Sequence, residues 1–167
     1  VGSNTLNLSG NVSRTSGVVN GTGSTVVYNG TGAQTIATGG LTGTLLNYTM
    51  NNSAGVTSVN SVAVTGNLNL TAGTLNIGTA TITLGGVINR TSGVVNAVSG
   101  TMAFNGAIAQ NIPANSISNT MAGLVVDNPV SVTVNQSYTV ATNLTVNTGK
   151  LDINGTTLTV GGTISGT

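Results

Sequence analysis

The sequence predicts an all-β fold, a parallel β-helix or β-solenoid, for which we expect a right-handed coil. Three observations support this prediction. Apolar and polar residues alternate in short runs, neighbouring runs lie only about 7 to 10 residues apart, and the chain repeats with a period of 76 residues. The alternative is a row of antiparallel β-sandwich modules, because sandwiches also use short strands and can occur in tandem.

The composition favours strands over helices. The 167 residues are 38% hydrophobic but only 3% charged, and the apolar residues are mainly Val, Leu and Ile, accompanied by abundant Thr. β-Branched residues suit the pleated surface of a sheet. The 25 glycines, together with many asparagines, mark turns, whereas proline occurs only twice. We therefore expect a folded, almost entirely β chain that is long enough to bury a core.

Period-two alternation identifies the individual strands, because a strand with one buried face carries an apolar residue at every second position. Leu68, Leu75 and Ile82 are the expected centres of three successive strands, joined by connections of one to three residues. Such spacing favours a coil made of two or three short strands. The clearest alternating runs are residues 5–8, 25–28, 67–70, 74–77 and 81–84.

The internal repeat divides the chain into copies 1–76 and 77–152 and a partial third copy, 153–167. The copies follow one another without a linker, and Trp and Cys, which anchor many sandwich cores, are absent. Both features favour one continuous β-solenoid over residues 1–167. Each copy would hold three or four coils of about 19 to 25 residues, and the whole chain would form a rod of about 35 to 45 Å.

Catalytic chemistry has few residues to use. The chain lacks His and Cys, and Asp127 and Asp152 are its only carboxylates. Glycoside hydrolysis normally needs two carboxylates beside the bond, but these two stand where the preceding copy has Asn51 and Asn76. Calcium-binding solenoids carry repeated aspartates that are missing here. We therefore predict no enzyme, no catalytic or metal-binding residue and no cofactor.

The charge pattern also limits the partners. Nucleic-acid binding uses clustered Lys and Arg, whereas Arg14, Arg90 and Lys150 are far apart in the sequence. No apolar run approaches the roughly 20 residues of a membrane helix, so we expect no membrane insertion. No signal peptide is visible and the first residue is not Met, which suggests a mature or excised segment.

Four charged residues are predicted as possible surface or inter-filament contacts: Arg14, Arg90, Lys150 and Asp152. Arg14 and Arg90 lie in the longest identical block of the repeat, R-T-S-G-V-V-N at 14–20 and 90–96. Each arginine either contacts a glycan or a neighbouring filament, or caps the carbonyls of the Thr-Ser-Gly turn that follows it. Lys150 and Asp152 would share the outer face of a strand as an exposed ion pair, worth about 0 to 1 kcal/mol.

Two further functions are considered. A carbohydrate-binding adhesin surface could use Asn, Thr and an exposed tyrosine, although Tyr28 aligns with Phe104 and Tyr48 with Leu124, which suggests packing. An ice-binding surface could use Thr-x-Thr pairs such as the one at 81 and 83. Ice binding needs that pair on nearly every coil, and here it recurs only about once per copy.

The segment 66–78, G-N-L-N-L-T-A-G-T-L-N-I-G, resembles the β-helical repeat regions of very large secreted bacterial surface proteins, namely adhesins and autotransporter-like filament proteins. The likeness extends over the whole chain in composition. It implies an extracellular location, at the cell surface or in a filament, and a role as stalk or filament. It assigns no functional residue.

Neither end of the sequence has the features of a capping element. Residues 1–8 and 156–160 are ordinary strand motifs, although an isolated solenoid must cover its open strand edges and apolar layers. We therefore expect each end to contact another segment or subunit. The chain would be a structural, non-enzymatic part of an extracellular filament or adhesin stalk. Its main partner would be further copies of itself, or neighbouring repeats of the same protein, and surface glycans would be a second one.

Overall fold

The structure is a computed structural model that describes residues 4–167; the first three residues of the N-terminal strand motif lie outside the described part. Within this range it contains only strands and turns, and no helix that is long and apolar enough to cross a membrane. The strands are β1 (Thr5–Leu8), β2 (Val19–Asn20), β3 (Thr25–Tyr28), β4 (Gln34–Ile36), β5 (Leu41–Thr42), β6 (Thr44–Leu45), β7 (Asn47–Asn51), β8 (Val56–Ser58), β9 (Val62–Val64), β10 (Leu68–Ala72), β11 (Thr74–Asn76), β12 (Thr81–Leu84), β13 (Ile88–Arg90), β14 (Val94–Asn96), β15 (Thr101–Phe104), β16 (Gln110–Ile112), β17 (Thr120–Asp127), β18 (Val132–Val134), β19 (Tyr138–Thr148), β20 (Leu151–Asp152), β21 (Leu158–Val160) and β22 (Ile164–Gly166).

All strand pairs among the described residues are parallel. Sandwich modules would pair neighbouring strands in opposite directions, so that alternative is excluded. The strands stack as a β-solenoid, and the predicted fold class is confirmed.

One coil has three faces, as the segment around Leu68 shows. Leu68 lies on the first face, Leu75 on the second and Ile82 on the third, and the chain returns to the first face at Ile88, which pairs with Leu68. The three predicted strand centres therefore belong to one turn of the solenoid. We call these sides face one, face two and face three.

The described chain forms eight coils; Ile117 and residues 120–121 belong to one coil on face two, and β5 and β6 belong to one coil on face three. Face one consists of β1, β3, β7, β10 and β13, and then of β16, β18 and β20, which follow face three and precede face two in their coils. Face two consists of Val12, β4, β8, β11, β14, Ile117, the first residues of β17 and β19 (120–121 and 138–140), and β21. Face three consists of β2, β5, β6, β9, β12, β15, the later residues of β17 and β19 (123–127 and 143–148), and β22.

The length of a coil varies along the rod. Paired residues are 19 apart at Val132 and Leu151, 20 apart at Leu68 and Ile88, and 24 apart at the isolated bridge from Val12. These values fall within the predicted range. At about 4.8 Å per coil, eight coils give a rod of about 38 Å.

The core consists of apolar ladders that run along the axis. The inward residues Leu68, Leu70, Leu75, Ile82 and Leu84 are at most 1% exposed, whereas their outward neighbours are partly or fully exposed. Complete burial of such a side chain contributes about 1.5–3 kcal/mol. Since one coil cannot cover its own inward residues, this stabilisation depends on the coils above and below.

The 76-residue repeat does not correspond to a whole number of coils. Four coil steps lead from Leu6 to Ile88, which is six residues more than one repeat. A shift of 76 residues therefore stops about one face short of four full coils. Strands of face one correspond after this shift to strands of face three: β1 to β12, β3 to β15, β7 to the later part of β17, and β10 to the later part of β19.

The other faces follow the same rule. The strands β4 and β8 of face two correspond to β16 and β18 on face one, and β12 of face three corresponds to β21 on face two. Each copy of the repeat is thus rotated by one face about the axis relative to the copy before it. Features that repeat in the sequence lie on different sides of the rod.

Candidate functional site at the two ends of the solenoid

The two arginines cap turns, as one of the two sequence interpretations holds. The Nε atom of Arg14 donates to the carbonyl oxygen of Gly17 at 2.8 Å, and Nε of Arg90 donates to that of Gly93 at 3.0 Å. Nη1 of Arg14 also donates to the carbonyl oxygen of Thr38 in the next coil. Because the copies are rotated, the two turns follow different faces and form no common row. A contact of either arginine with a glycan or another filament remains a prediction.

Of the remaining charged residues, Asp127 and Lys150 are exposed and Asp152 is partly exposed. Lys150 Nζ lies 3.9 Å from Asp152 Oδ2, and the side chains are 68% and 46% exposed, so solvent screens this pair to a value of about 0 to 1 kcal/mol. Asp127 accepts a hydrogen bond from Thr148 on the adjacent coil. Residues 4–167 contain no group of three or more His, Cys, Asp or Glu side chains that could hold a metal ion.

The tyrosines face the core and provide no exposed aromatic platform for a sugar. Tyr28 is 0% exposed, and Tyr48 and Tyr138 are each 2% exposed. The hydroxyl groups of Tyr28 and Tyr48 are hydrogen-bonded at 3.0 Å, and their rings meet edge to face with centroids 5.4 Å apart. Burial raises the pKa of Tyr28, raises the pKa of Tyr48 strongly, and raises the pKa of Tyr138 to about 12.

Stability is expected to fall in alkaline solution because of these tyrosines. In the unfolded chain they ionise near pH 10, whereas in the folded chain they keep their protons to higher pH. Their contribution is therefore complete below pH 10 and is lost as the pH rises through the raised folded values. The free energy of unfolding should fall by up to about 1.4 kcal/mol per pH unit for each tyrosine.

Urea unfolding at pH 7, 9, 10.5 and 11.5 would measure this loss. The first two values should agree, because no side chain has an ordinary pKa between 5 and 9. The control is Tyr138→Phe, which keeps the ring and should reduce the alkaline slope. An unchanged slope in that variant would show that Tyr138 does not contribute to the loss.

The Thr-x-Thr pairs form no continuous row on one face. Thr81 and Thr83 lie on face three, and the corresponding Thr157 and Thr159 lie at face two. The residue beside Thr83 in the next coil is Ala103. Rotation of the repeat thus separates the pairs that a flat ice-binding surface would need side by side.

Sequence reasoning missed a buried amide cluster that occurs once in each full copy. Gln110 Oε1 accepts hydrogen bonds from Gly106 N and Asn128 Nδ2, and Gln110 Nε2 donates to the carbonyl oxygens of Leu84 and Gly86. The side-chain amide of Gln110 thereby connects three successive coils at one corner. We call Gln110 and Asn128 the second amide clasp.

The first amide clasp consists of Gln34 and Asn52, which stand 76 residues earlier. Gln34 Oε1 accepts from Gly30 N and Asn52 Nδ2, and Gln34 Nε2 donates to the carbonyl oxygens of Leu8 and Gly10. The bonds are the same as in the second clasp, although the corner is different. The signal in the sequence was that both copies of the repeat keep a Gln and an Asn at matching positions, where the neighbouring inward residues are apolar.

The N-terminal end of the described rod exposes part of its apolar layer. Leu6, Leu8, Val12 and Val19 pack against the core but are only partly buried, and Val18 is 54% exposed. The outer edges of β1 and β2 have no strand partner in the range 4–167. Parallel strands with open edges offer backbone groups for pairing with a further coil.

The C-terminal end has the same character. Leu151, Leu158 and Val160 are partly buried against the core, and Ile164 is 67% exposed. The strands β20, β21 and β22 pair only with β18 and β19 among the described strands, so one edge of each is open. Both ends therefore present a half-covered apolar layer surrounded by unpaired strand edges. This arrangement can bind another coil.

The chain matches no protein-family model, no curated protein and no solved structure.

Proposed function

We propose that this protein is a structural, non-enzymatic segment of an extracellular filament or adhesin stalk that extends by end-to-end stacking of its coils. The observation that carries the proposal is the location of the incompletely buried core residues. Among residues 4–167, all eight partly buried apolar residues that pack against the core lie near the two ends: Leu6, Leu8, Val12, Val19, Val146, Leu151, Leu158 and Val160.

The energetics favour stacking at sufficient concentration. Complete burial of a Val or Leu side chain contributes about 1.5–3 kcal/mol, and each new backbone hydrogen bond adds about 1 kcal/mol. Completing the layers at two ends thus gains several kcal/mol. Association costs about 4–15 kcal/mol in lost translational and rotational freedom. Because these ranges overlap, fibres should form above a threshold protein concentration.

The extracellular assignment rests on the resemblance to secreted bacterial surface repeats, and the surface chemistry is compatible with it. The surface is made chiefly of Thr, Asn, Ser and Gly, with five charged side chains in 167 residues. Contacts between fibres or with a cell-surface layer would depend on hydrogen bonds and shape. A filament of this kind keeps its structure when ionic strength or pH changes outside the cell.

Electron microscopy of the protein at increasing concentration would test assembly. We expect unbranched fibres with an axial repeat of about 4.8 Å, the spacing between coils. The fibres should persist between pH 5 and 9 and in moderate salt, since few charges take part. A chain that remains monomeric at high concentration, or fibres that dissolve within that pH range, would contradict the proposal.

A matched pair of variants identifies the surface that assembles. Leu158→Lys places a charge in the apolar layer at the C-terminal end and should abolish fibres while the other coils stay folded. Thr159→Lys places the same charge on the outward side of the same strand and should leave fibres intact. Circular dichroism of both variants confirms that the strands remain. Equal loss of fibres in both would indicate that the apolar layer is not the contact.

A further inference from the structure

The two ends of the rod differ in which face carries the strand with two inward apolar residues. A second copy can stack on the first in one of three rotational registers, and these registers match the strands differently. At the N-terminal end the longest strand, β1, lies on face one and points Leu6 and Leu8 inward. At the C-terminal end the strand with two inward apolar residues is β21 on face two, with Leu158 and Val160. The two strands that best match each other are therefore one face apart.

We propose that a second copy of this chain docks on the C-terminal end rotated by one face, so that its β1 pairs with β21. The proposal deepens the proposed function and rests on it. In this register Leu6 covers Leu158 and Leu8 covers Val160, and the outward Asn7 lies beside Thr159. Each apolar side chain then meets an apolar side chain in a parallel, in-register pair, as in the interior of the rod.

The bridge residue of the first coil agrees with the same rotation. Val12, the single residue that bridges face two at the N-terminal end, comes to lie on Ile164 of β22. An unrotated copy would instead place the four residues of β1 on the two residues of β20.

The connections between strands provide a second argument. Val12 follows Leu8 by four positions, and Ile164 follows Val160 by the same four. The corners of the two coils therefore have equal lengths in the rotated register and superimpose. In an unrotated copy, the corner after Leu8 would lie on the longer corner between β20 and β21. The internal repeat explains the match, because β21 is the counterpart of β1 two copies later.

Paired cysteines distinguish the three rotational registers, and the chain contains no natural cysteine. Asn7→Cys is combined in turn with Thr159→Cys on β21, Asp152→Cys on β20 or Ser165→Cys on β22. All four positions are on the outward side of their strands. Neighbouring coils are about 4.8 Å apart, within the Cα separation that a disulfide bridges.

An internal control tests the geometry of the cross-link. Asn7 and Val27 are register partners on adjacent coils of one chain. The double variant Asn7→Cys with Val27→Cys should therefore form an intramolecular disulfide under the same mild oxidation. Each variant is oxidised above the concentration at which fibres form, and it is analysed on denaturing gels without reductant and by electron microscopy.

The pair at 7 and 159 is expected to give a ladder of covalent multimers, whereas the pairs at 7 and 152 and at 7 and 165 should remain monomeric. Fibres in all three variants with a ladder from either of the other pairs would overturn the rotated register but leave end-to-end assembly intact. Absence of both fibres and ladders, with the internal control cross-linked, would overturn the proposed function together with the register.

Discussion

Replacing Gln110 by leucine is expected to lower the free energy of unfolding by about 4 kcal/mol, because four buried polar partners lose their hydrogen bonds at once. Leucine has a similar size but cannot accept from Gly106 N or Asn128 Nδ2, nor donate to the carbonyls of Leu84 and Gly86. Gln110 is 2% exposed, so water has little access to these groups. Urea unfolding followed by circular dichroism measures the change.

The other two glutamines of the chain are matched controls. Gln34→Leu breaks the same four bonds, but Leu8 and Gly10 belong to the more exposed first coil, so the loss should be smaller. Gln136→Leu removes two bonds at a partly exposed site and should cost about 1 kcal/mol or less. Equal losses for Gln110 and Gln136 would show that the second amide clasp has no special role in holding the coils together.

Alternation, spacing and the linker-free repeat together predicted the coil. Leu68, Leu75 and Ile82 were the expected strand centres, and they occupy the three faces of one turn with at most 1% exposure. The reason is physical: an inward residue at every second position requires burial, and a repeat without linkers, Trp or Cys favours coils that cover one another over separate sandwich modules. The half-buried strands at both ends follow the same pattern.

Rotation of the repeat could not be predicted. It depends on the sum of the corner lengths, and the step between paired residues varies from 19 to 24 along the chain. A change of six residues in four coils decides whether the second copy of β1 stays on face one or lies on face three. The sequence shows the 76-residue period, but the number of residues in each corner becomes clear only when strand register is known.

The amide clasps were not predicted because burial of a polar side chain depends on its partners. Gln110 lies on the inward side of β16, and this is favourable only because the corner at Gly106 brings a backbone N–H and two carbonyls within reach. From the alternation alone, a polar residue such as this glutamine is assigned to the outward side of its strand. The matching pair Gln34 and Gln110 was the available signal.

Replacing Gly73 by alanine is expected to cost about 4 kcal/mol of folding stability, for two reasons that act together. Its φ of +81° lies in the left-handed region, where a side chain adds about 1–2 kcal/mol of strain. An added Cβ would also stand 1.8 Å from the carbonyl oxygen of Asn52, and forcing such a contact apart costs about 1–3 kcal/mol. Asn52 belongs to the first amide clasp, so the displaced backbone would also disturb Gln34.

Gly23→Ala separates the two causes. Gly23 has a similar φ of +72°, but no atom lies within 4 Å of the added Cβ, so only the strain of about 1–2 kcal/mol should appear. Gly149 repeats the situation of Gly73, with φ +69° and the Asn128 carbonyl oxygen 1.9 Å from the added Cβ. Alanine at Gly73 and Gly149 should therefore destabilise the rod to a similar extent in urea titrations, well beyond alanine at Gly23. If all three variants lost the same small amount, the close approach between corner glycine and clasp asparagine would not limit how tightly adjacent coils pack.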